Sequence, residues 1–393
     1  MIETTGSVVA AGFESVAEAF QAGFTGRPGM GAALTVLHRG EIVVDVWGGT
    51  ADDRTDAPWS DDTISVIFSC TKGLMAILAA KLVEQGLLDY DAPVSRYWPE
   101  FAQAGKAGVL VRHLITHQSG LSAPREIMYL ADALNWGRAT GLLAAQEPLW
   151  TPGEGYSYHS LTQGWLIGEV IRRVTGESVS EVFQRMIALP LGVDAWIGLP
   201  TAEEHRVAHL QSGPTMDELV ARQAAERDPA SVDWLDRAMT LGGAFDARLI
   251  TPDGGFNAPA VHAAQIPGAG GIASARALAT IWSATVSPVD GGVLVDPATL
   301  ATATAVQTEG APVFPVPGPW PRWGMGFQLD SEARRYLTPR GFGHDGAGGQ
   351  VAFAEPDLEI GFAYVTNFME ANDPRGTAIV DALRDVVASR DRV

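Results

Sequence analysis

Cysteine is almost absent: the 393 residues contain one, Cys70, so no intramolecular disulfide can form. Lysine is nearly as scarce, with only Lys72, Lys81 and Lys106 among many arginines. Long apolar runs are missing, and none approaches the length of a membrane-spanning helix. The stretch from Met1 to Phe20 carries acidic residues and has no basic start followed by an apolar run, so it does not read as a secretory signal. Positive charge is in short supply, 27 Lys and Arg against 46 Asp and Glu, for a formal net charge of −19. Such a surface repels phosphate backbones and anionic lipid, which argues against nucleic acid and membrane surfaces as partners. A neutral or cationic small molecule is the better-matched partner, and the cytoplasm is the expected location.

What is present is ordinary for a globular chain: 46% hydrophobic and 19% charged residues, enough for one large domain or two medium ones. The segments Ala32–His38 and Glu41–Trp47 read as a hairpin turning at Arg39-Gly40. Leu74, Ile77, Leu78 and Leu82 recur at helical spacing over Cys70–Gln85, and Gly86 supplies a stop. Gln163–Thr175, Ser178–Leu189, Ser274–Ala284 and Arg375–Ser389 also read as helices. Pro252–Gly271 reads as a connecting loop, and Gly310–Trp323, with five prolines, as a stiff, partly extended one. Gly324–Leu329, Gln350–Ala354 and Glu359–Thr366 read as strands, with Arg340–Gly349 as a turn. Strands at both ends and helices between them predict an α+β fold. One sheet domain would come from residues 1–66 and 265–393, and a mainly helical domain from 67–264.

The chemistry-bearing run is Phe68-Ser69-Cys70-Thr71-Lys72-Gly73, at the start of a predicted helix. Positions i and i+3 share a helix face, so the Ser69 and Lys72 side chains can meet. A serine hydroxyl needs a base to become a useful nucleophile, and a lysine can serve if burial lowers its pKa. The backbone N–H of a residue at a helix start is also available to an oxyanion. Ser-x-x-Lys is a common pattern, however, and a serine there equally well caps the helix. A lysine at the head of an apolar helix, in a chain with so few lysines, favours the chemical reading. The Gly-x-Ser-x-Gly elbow does not occur, and neither zinc spacing nor a nucleotide-binding glycine pattern is present, so no metal or cofactor is expected.

Other segments follow in a telling order. They are Leu114-Ile115-Thr116-His117-Gln118-Ser119-Gly120-Leu121, then Pro152-Gly153 with Tyr156-Ser157-Tyr158-His159-Ser160. Gly270-Gly271-Ile272-Ala273-Ser274, Trp323-Gly324-Met325-Gly326-Phe327 and Gly343-His344-Asp345-Gly346-Ala347 complete the series. Together with Ser69-Cys70-Thr71-Lys72 this order resembles the serine β-lactamase-like superfamily, which holds class C β-lactamases, penicillin-binding D-alanyl peptidases and family VIII carboxylesterases. The last of these is the nearest likeness. The resemblance implies an antiparallel sheet flanked by helices, a helical domain beside it, and a reaction cleft between the two. It makes Ser69 the acylated serine, Lys72 its partner and Tyr158 the tyrosine that passes protons, with Tyr156 the competing and less well-spaced choice. It gives the second oxyanion N–H to Ala347, after Gly346. A phenol in that role is expected to have its pKa lowered by the Lys72 ammonium.

Two departures matter. Ser160 stands where lactamases and peptidases have asparagine, and a hydroxyl cannot replace both functions of a carboxamide. His344-Asp345-Gly346 stands where they carry Lys-Thr-Gly, so the cation that would hold a substrate carboxylate is missing and Asp345 would repel one if it faced the pocket. The implied activity is therefore hydrolysis of a small ester rather than of a β-lactam or a D-alanyl peptide, with Phe314, Trp320 and Trp323 shaping a pocket. The alternatives are a β-lactamase, peptidase or amidase of the same fold, and a catalytically silent binding member. His117 and His159 are expected to be structural.

Overall fold

The computed structural model describes residues 7–288 and 292–390. The outermost residues of the predicted sheet domain, 1–6 and 391–393, and part of the Met1–Phe20 stretch lie outside the described residues.

The hairpin forms where the sequence places it. Gly31–His38 pairs with Glu41–Asp52, and the register His38↔Glu41 leaves two residues for the turn. Both have positive φ, Arg39 at 54° and Gly40 at 80°, the twist that suits a tight antiparallel hairpin. Chain-terminal strands then complete the sheet. Ile360–Thr366 lies beside Gly31–His38, and Val351–Glu355, Phe342–Asp345, Gln328–Leu329 and Arg322–Trp323 follow in order, all antiparallel. Every residue of Ile360–Thr366 is buried, which explains its run of apolar residues without polar alternation.

Helices cover both faces. On one, Glu14–Ala22 packs against Pro374–Arg390, and Phe20, Ile379 and Leu383 bury themselves over Val36, Phe362 and Tyr364. On the other, Ala275–Ser283 lies across Ile360–Thr366. Gly361 permits this contact: a Cβ there would stand 2.4 Å from the Ser283 nitrogen. Trp282 of that helix is fully buried, meets Phe327 and Phe342 edge-on, and rests against Gly73 of helix Cys70–Glu84, where a Cβ would be 2.4 Å from the indole. Burying an aromatic side chain of this kind contributes roughly 2–3 kcal/mol.

Some expected elements differ. Phe342–Asp345, read as part of a turn, is a strand, because pairing with Val351–Glu355 outweighs a glycine-dense local sequence. Gly324–Leu329, read as one strand, begins instead with a tight turn in which Gly324 N donates to the Phe327 carbonyl at 2.8 Å and Gly326 has φ 81°. Only Gln328–Leu329 continues as strand. The expected helix Ser178–Leu189 widens after Phe183 into a π-helical turn over Gln184–Ala188. The Pro252–Gly271 connection contains the helix Pro259–Ala263. Among the described residues, no helix is long and apolar enough to cross a membrane.

Candidate active site

A small sheet sets the position of Ser69. Gly271–Ala273 pairs with both Ser65–Val66 and Ala195–Ile197, so the segment leading into Ser69 is tied to the glycine-rich return. The chain then passes from strand to helix through Phe68, a fully buried residue with φ 43° whose ring packs on Phe256 at 5.3 Å. A non-glycine residue in this region is sterically costly, and burial of the ring holds it there. Thr71 secures the corner: its hydroxyl donates to the Phe68 carbonyl and accepts from Gly271 N at 2.8 Å. Ser69 occupies the cap position of helix Cys70–Glu84 without making a side-chain capping bond. The competing reading of Ser69 as a helix cap therefore loses its basis.

Lys72 is 1% exposed and its ammonium has no carboxylate partner among the described residues. Its Nζ donates to the carbonyl oxygens of Ser160 and Gly268, each at 2.6 Å, and stands 3.1 Å from Ser69 Oγ. Burial lowers its pKa from the usual 10.5 to about 7. A neutral amine has two N–H groups and one lone pair. In the neutral form the two carbonyls take the N–H groups, which leaves the lone pair for Ser69 Oγ; in the charged form the third N–H donates to it. Gly268 reaches this place because Gly164 leaves room for it; a Cβ on Gly164 would lie 2.0 Å from the Gly268 nitrogen.

Tyr158 follows the Pro152-Gly153 turn, stacks on Trp323 at 5.4 Å and 19°, and has the Ser69 side chain among its neighbours. Lys72 Nζ lies 4.8 Å from the centre of its ring. The expected lowering of its pKa is not found. Burial raises the phenol well above its ordinary value, and the Ser69 side chain only partly opposes this. The physical reason is that a phenolate there loses its hydration, and the negative field of Asp345 opposes ionisation further.

The remaining predicted site residues serve in different ways. Ser160 contributes its backbone carbonyl to Lys72. His344 is 2% exposed, and burial lowers its pKa to about 3, so its imidazole is neutral. Its Nδ1 donates to the Asp345 carbonyl at 2.7 Å. Asp345 is ion-paired with Arg334 at 2.6 Å, so the repulsion expected of an unmatched carboxylate is largely cancelled. Gly346 lies directly on the segment before Ser69, where a Cβ would be 2.5 Å from the Ile67 carbonyl oxygen. Gln350 holds the turn: its Nε2 donates to the Val66 and Thr366 carbonyls at 3.1 and 3.0 Å, and its Oε1 accepts from Thr366 N at 2.8 Å.

Sequence reasoning missed Gly268, Gln350 and Arg334. Gly268 acts through a carbonyl and leaves no side-chain signal, and Gln350 and Arg334 gain meaning only from what they meet in space. A cavity of about 290 Å³ opens beside Tyr158 and His344, walled by Tyr156, Pro312, Trp320 and Trp323. Two of the three aromatic residues expected there line it; Phe314 instead meets Trp150 edge-on. Larger hollows of about 400 and 520 Å³ contain neither Tyr158 nor His344. Among the described residues, the group close enough to share a cation is Asp52, Asp53 and His209, none of which lines the cavity, and Arg54 already holds Asp52 through bonds of 2.9 Å.

Comparison with known proteins identifies the family of the chain. A family model for Beta-lactamase matches residues 16–384. Esterase/beta-lactamase LipL of Mycobacterium tuberculosis is 34% identical over 362 residues, which is 90% of this chain and 81% of that protein. A solved family VIII carboxylesterase is 35% identical, with a TM-score of 0.85 over 98% of this chain and 100% of its own. A penicillin-binding protein homologue from Caulobacter crescentus is also 35% identical, with a TM-score of 0.84 over the same shares of the two chains. Matches of this extent, over a chain whose Ser69, Lys72 and Tyr158 converge, show that it belongs to the Beta-lactamase family.

Proposed function

We propose that this protein is a serine hydrolase acting as a carboxylesterase on small neutral esters, through an acyl-enzyme formed at Ser69. The observation that carries the reading is the state of Lys72. It is a buried amine, its pKa lowered to about 7, whose Nζ is held by two carbonyls and stands 3.1 Å from Ser69 Oγ, so that its deprotonated form can present a lone pair to that hydroxyl.

In the proposed reaction Ser69 Oγ bonds to the ester carbonyl carbon and its proton passes to Lys72. The carbonyl oxygen becomes an oxyanion between the N–H groups of Ser69 and Ala347. The C–O bond to the alcohol then breaks. Tyr158, a phenol because burial keeps it protonated, gives its proton to the departing oxygen and regains one from Lys72. Water attacks the acyl-enzyme by the same route in reverse and releases the acid. No metal or organic cofactor enters any step. The helical part, 67–264, supplies Ser69, Lys72, Tyr158 and Ser160. The sheet-bearing part, 1–66 and 265–393, supplies Gly268, Trp323, His344 and Ala347. This division supports the proposal that the reaction takes place at their boundary.

An ester is the favoured substrate for two reasons. The neutral His344 imidazole offers no cation to a substrate carboxylate, and Ser160 turns its carbonyl to Lys72. The cavity walls of proline, tyrosine and tryptophan suit an apolar acyl or alcohol group. Hydrolysis of a short-chain p-nitrophenyl ester and of a chromogenic cephalosporin, by the wild type and by Ser69→Ala, tests the reading. Ester turnover that vanishes in Ser69→Ala, with little cephalosporin turnover, is expected. Efficient cephalosporin turnover assigns the protein to the lactamase side, and ester turnover that survives Ser69→Ala refutes the nucleophile.

A further inference from the structure

The two residues flanking Tyr158 are both held by one residue that the reaction scheme leaves out, one through its backbone carbonyl and the other through its side chain. Ser157 N donates to the His117 carbonyl at 3.2 Å, and His159 N donates to His117 Nδ1 at 3.2 Å. His117 presents both acceptors to the same segment from a left-handed backbone, φ 65°. Its ring lies 4.8 Å from the Tyr158 ring and 4.8 Å from the Trp323 ring, edge-on to both. A second layer braces this one. His159 Nδ1 donates to the Ser157 carbonyl at 2.6 Å, and its Nε2 accepts from Ser119 Oγ at 2.8 Å. His117, His159 and Ser119 are all fully buried.

The protonation states follow from the contacts. His117 Nδ1 accepts, so the proton of the neutral ring sits on Nε2. That nitrogen is buried without a hydrogen-bond partner among the described residues. Burial and the nearby His159 push His117 well below the usual histidine range, so it carries no charge into the vicinity of Lys72. A leucine would fill the same space, but only an acceptor at the Nδ1 position satisfies the buried His159 amide.

We propose that His117 is a positioning residue: it fixes the amides on both sides of Tyr158 and one flank of its ring, and so holds the phenol oxygen on Ser69. The inference rests on Tyr158 being the proton relay of the proposed esterase. His117 does not touch the substrate, so its loss acts on the chemical step and not on binding. A displacement of about 1 Å at a reacting group is worth roughly a hundredfold in rate.

The test compares His117→Leu with His117→Asn. Asparagine places Oδ1 at the same number of bonds from Cβ as Nδ1, and it tolerates positive φ. The wild type, Ser69→Ala and Tyr158→Phe serve as references. Two readouts are used: kcat and KM on a p-nitrophenyl ester, and the NMR signal of Tyr158 in protein labelled at tyrosine Cζ, identified by its loss in Tyr158→Phe. His117→Leu is expected to lose about 30- to 100-fold in kcat with KM within about twofold, and His117→Asn to stay within about fivefold. The Tyr158 signal should move or broaden in His117→Leu and hold in His117→Asn. The proposal is overturned if His117→Leu keeps kcat within about threefold, or if His117→Asn is as impaired as His117→Leu. Should His117→Leu not fold, His117→Gln, whose acceptor sits one bond too far out, is read in its place. If no ester is hydrolysed, or Ser69→Ala hydrolyses it, the esterase reading falls, and the Tyr158 signal alone decides whether His117 holds the ring.

Discussion

Two buried lysines invite comparison. Lys106 Nζ donates to the carbonyls of Gln103 and Gln146 and lies 5.4 Å from the centre of the Phe101 ring. Lys72 Nζ donates to the carbonyls of Ser160 and Gly268 and lies 4.8 Å from the centre of the Tyr158 ring. Burial lowers both, Lys106 to about 8 and Lys72 to about 7. Two carbonyls and an aromatic ring are thus enough to house a lysine in the interior, and such a site ties chain segments together without any chemistry. What separates them is the third position on the nitrogen. At Lys72 it faces Ser69 Oγ, and the ring beside it is a phenol rather than a bare phenyl ring. A lowered lysine pKa alone is therefore no mark of catalysis; the group that meets the lone pair decides.

The sharpest way to break the comparison is to remove each lysine. Lys72→Met is expected to lower kcat/KM for a p-nitrophenyl ester by at least about a thousandfold, whereas Lys106→Met stays within about threefold. Lys106→Met should instead lower the melting temperature, because two buried carbonyls lose their donor at about 1–3 kcal/mol each. Equal rate losses in both variants would erase the distinction. Next in size is Tyr158→Phe, which keeps the ring beside Lys72 and removes the hydroxyl; kcat is expected to fall about a hundredfold or more. A Tyr158→Phe enzyme as fast as the wild type would make Tyr158 a mere counterpart of Phe101.

The pH profile comes third. Lys72 must be neutral to accept the Ser69 proton, and its pKa is about 7. The rate therefore rises as pH increases through about 7 and levels above it, up to about tenfold per unit on the acid side. Lys106 imposes no such limb on the rate, so Lys106→Met should leave the profile in place. A flat profile between pH 6 and 8 in initial-rate measurements would contradict the base assignment. The smallest effect is expected at the cavity rim. Trp320→Ala should raise KM about three- to fivefold at nearly constant kcat for apolar esters, since Trp320 lines the cavity but is 36% exposed. A drop in kcat with unchanged KM would place Trp320 closer to the chemistry.

Features fixed by local pattern are easier to read from the sequence than those fixed across the fold, for reasons visible in particular residues. The hairpin through Arg39-Gly40 and the helix after Ser69 follow from local patterns, because turn geometry and apolar spacing act within a few residues. Phe342–Asp345 did not read as a strand, since Gly341, Gly343 and Gly346 surround it and its stability comes from Val351–Glu355 across the sheet. In the same way Ser69, Lys72 and Tyr158 were legible as an ordered set, while Gly268, Gln350 and the double grip of His117 were not. Those residues act through carbonyls or through hydrogen bonds to distant backbone, and neither has a spacing rule.

The sequence by itself determined which reactive groups exist, that Ser69 and Lys72 share one helix face, and that the family's expected cation opposite them is replaced by His344. The tertiary structure alone decided their chemical state. Lys72 is driven towards neutrality because the fold removes it from water, in a place closed by Ser160 and Gly268, residues far from it in the chain. Tyr158 stays a phenol, and His117 and His344 stay uncharged, for the same reason: the free energy of a charge depends on the solvent and dipoles around it, and these are set by packing rather than by residue order.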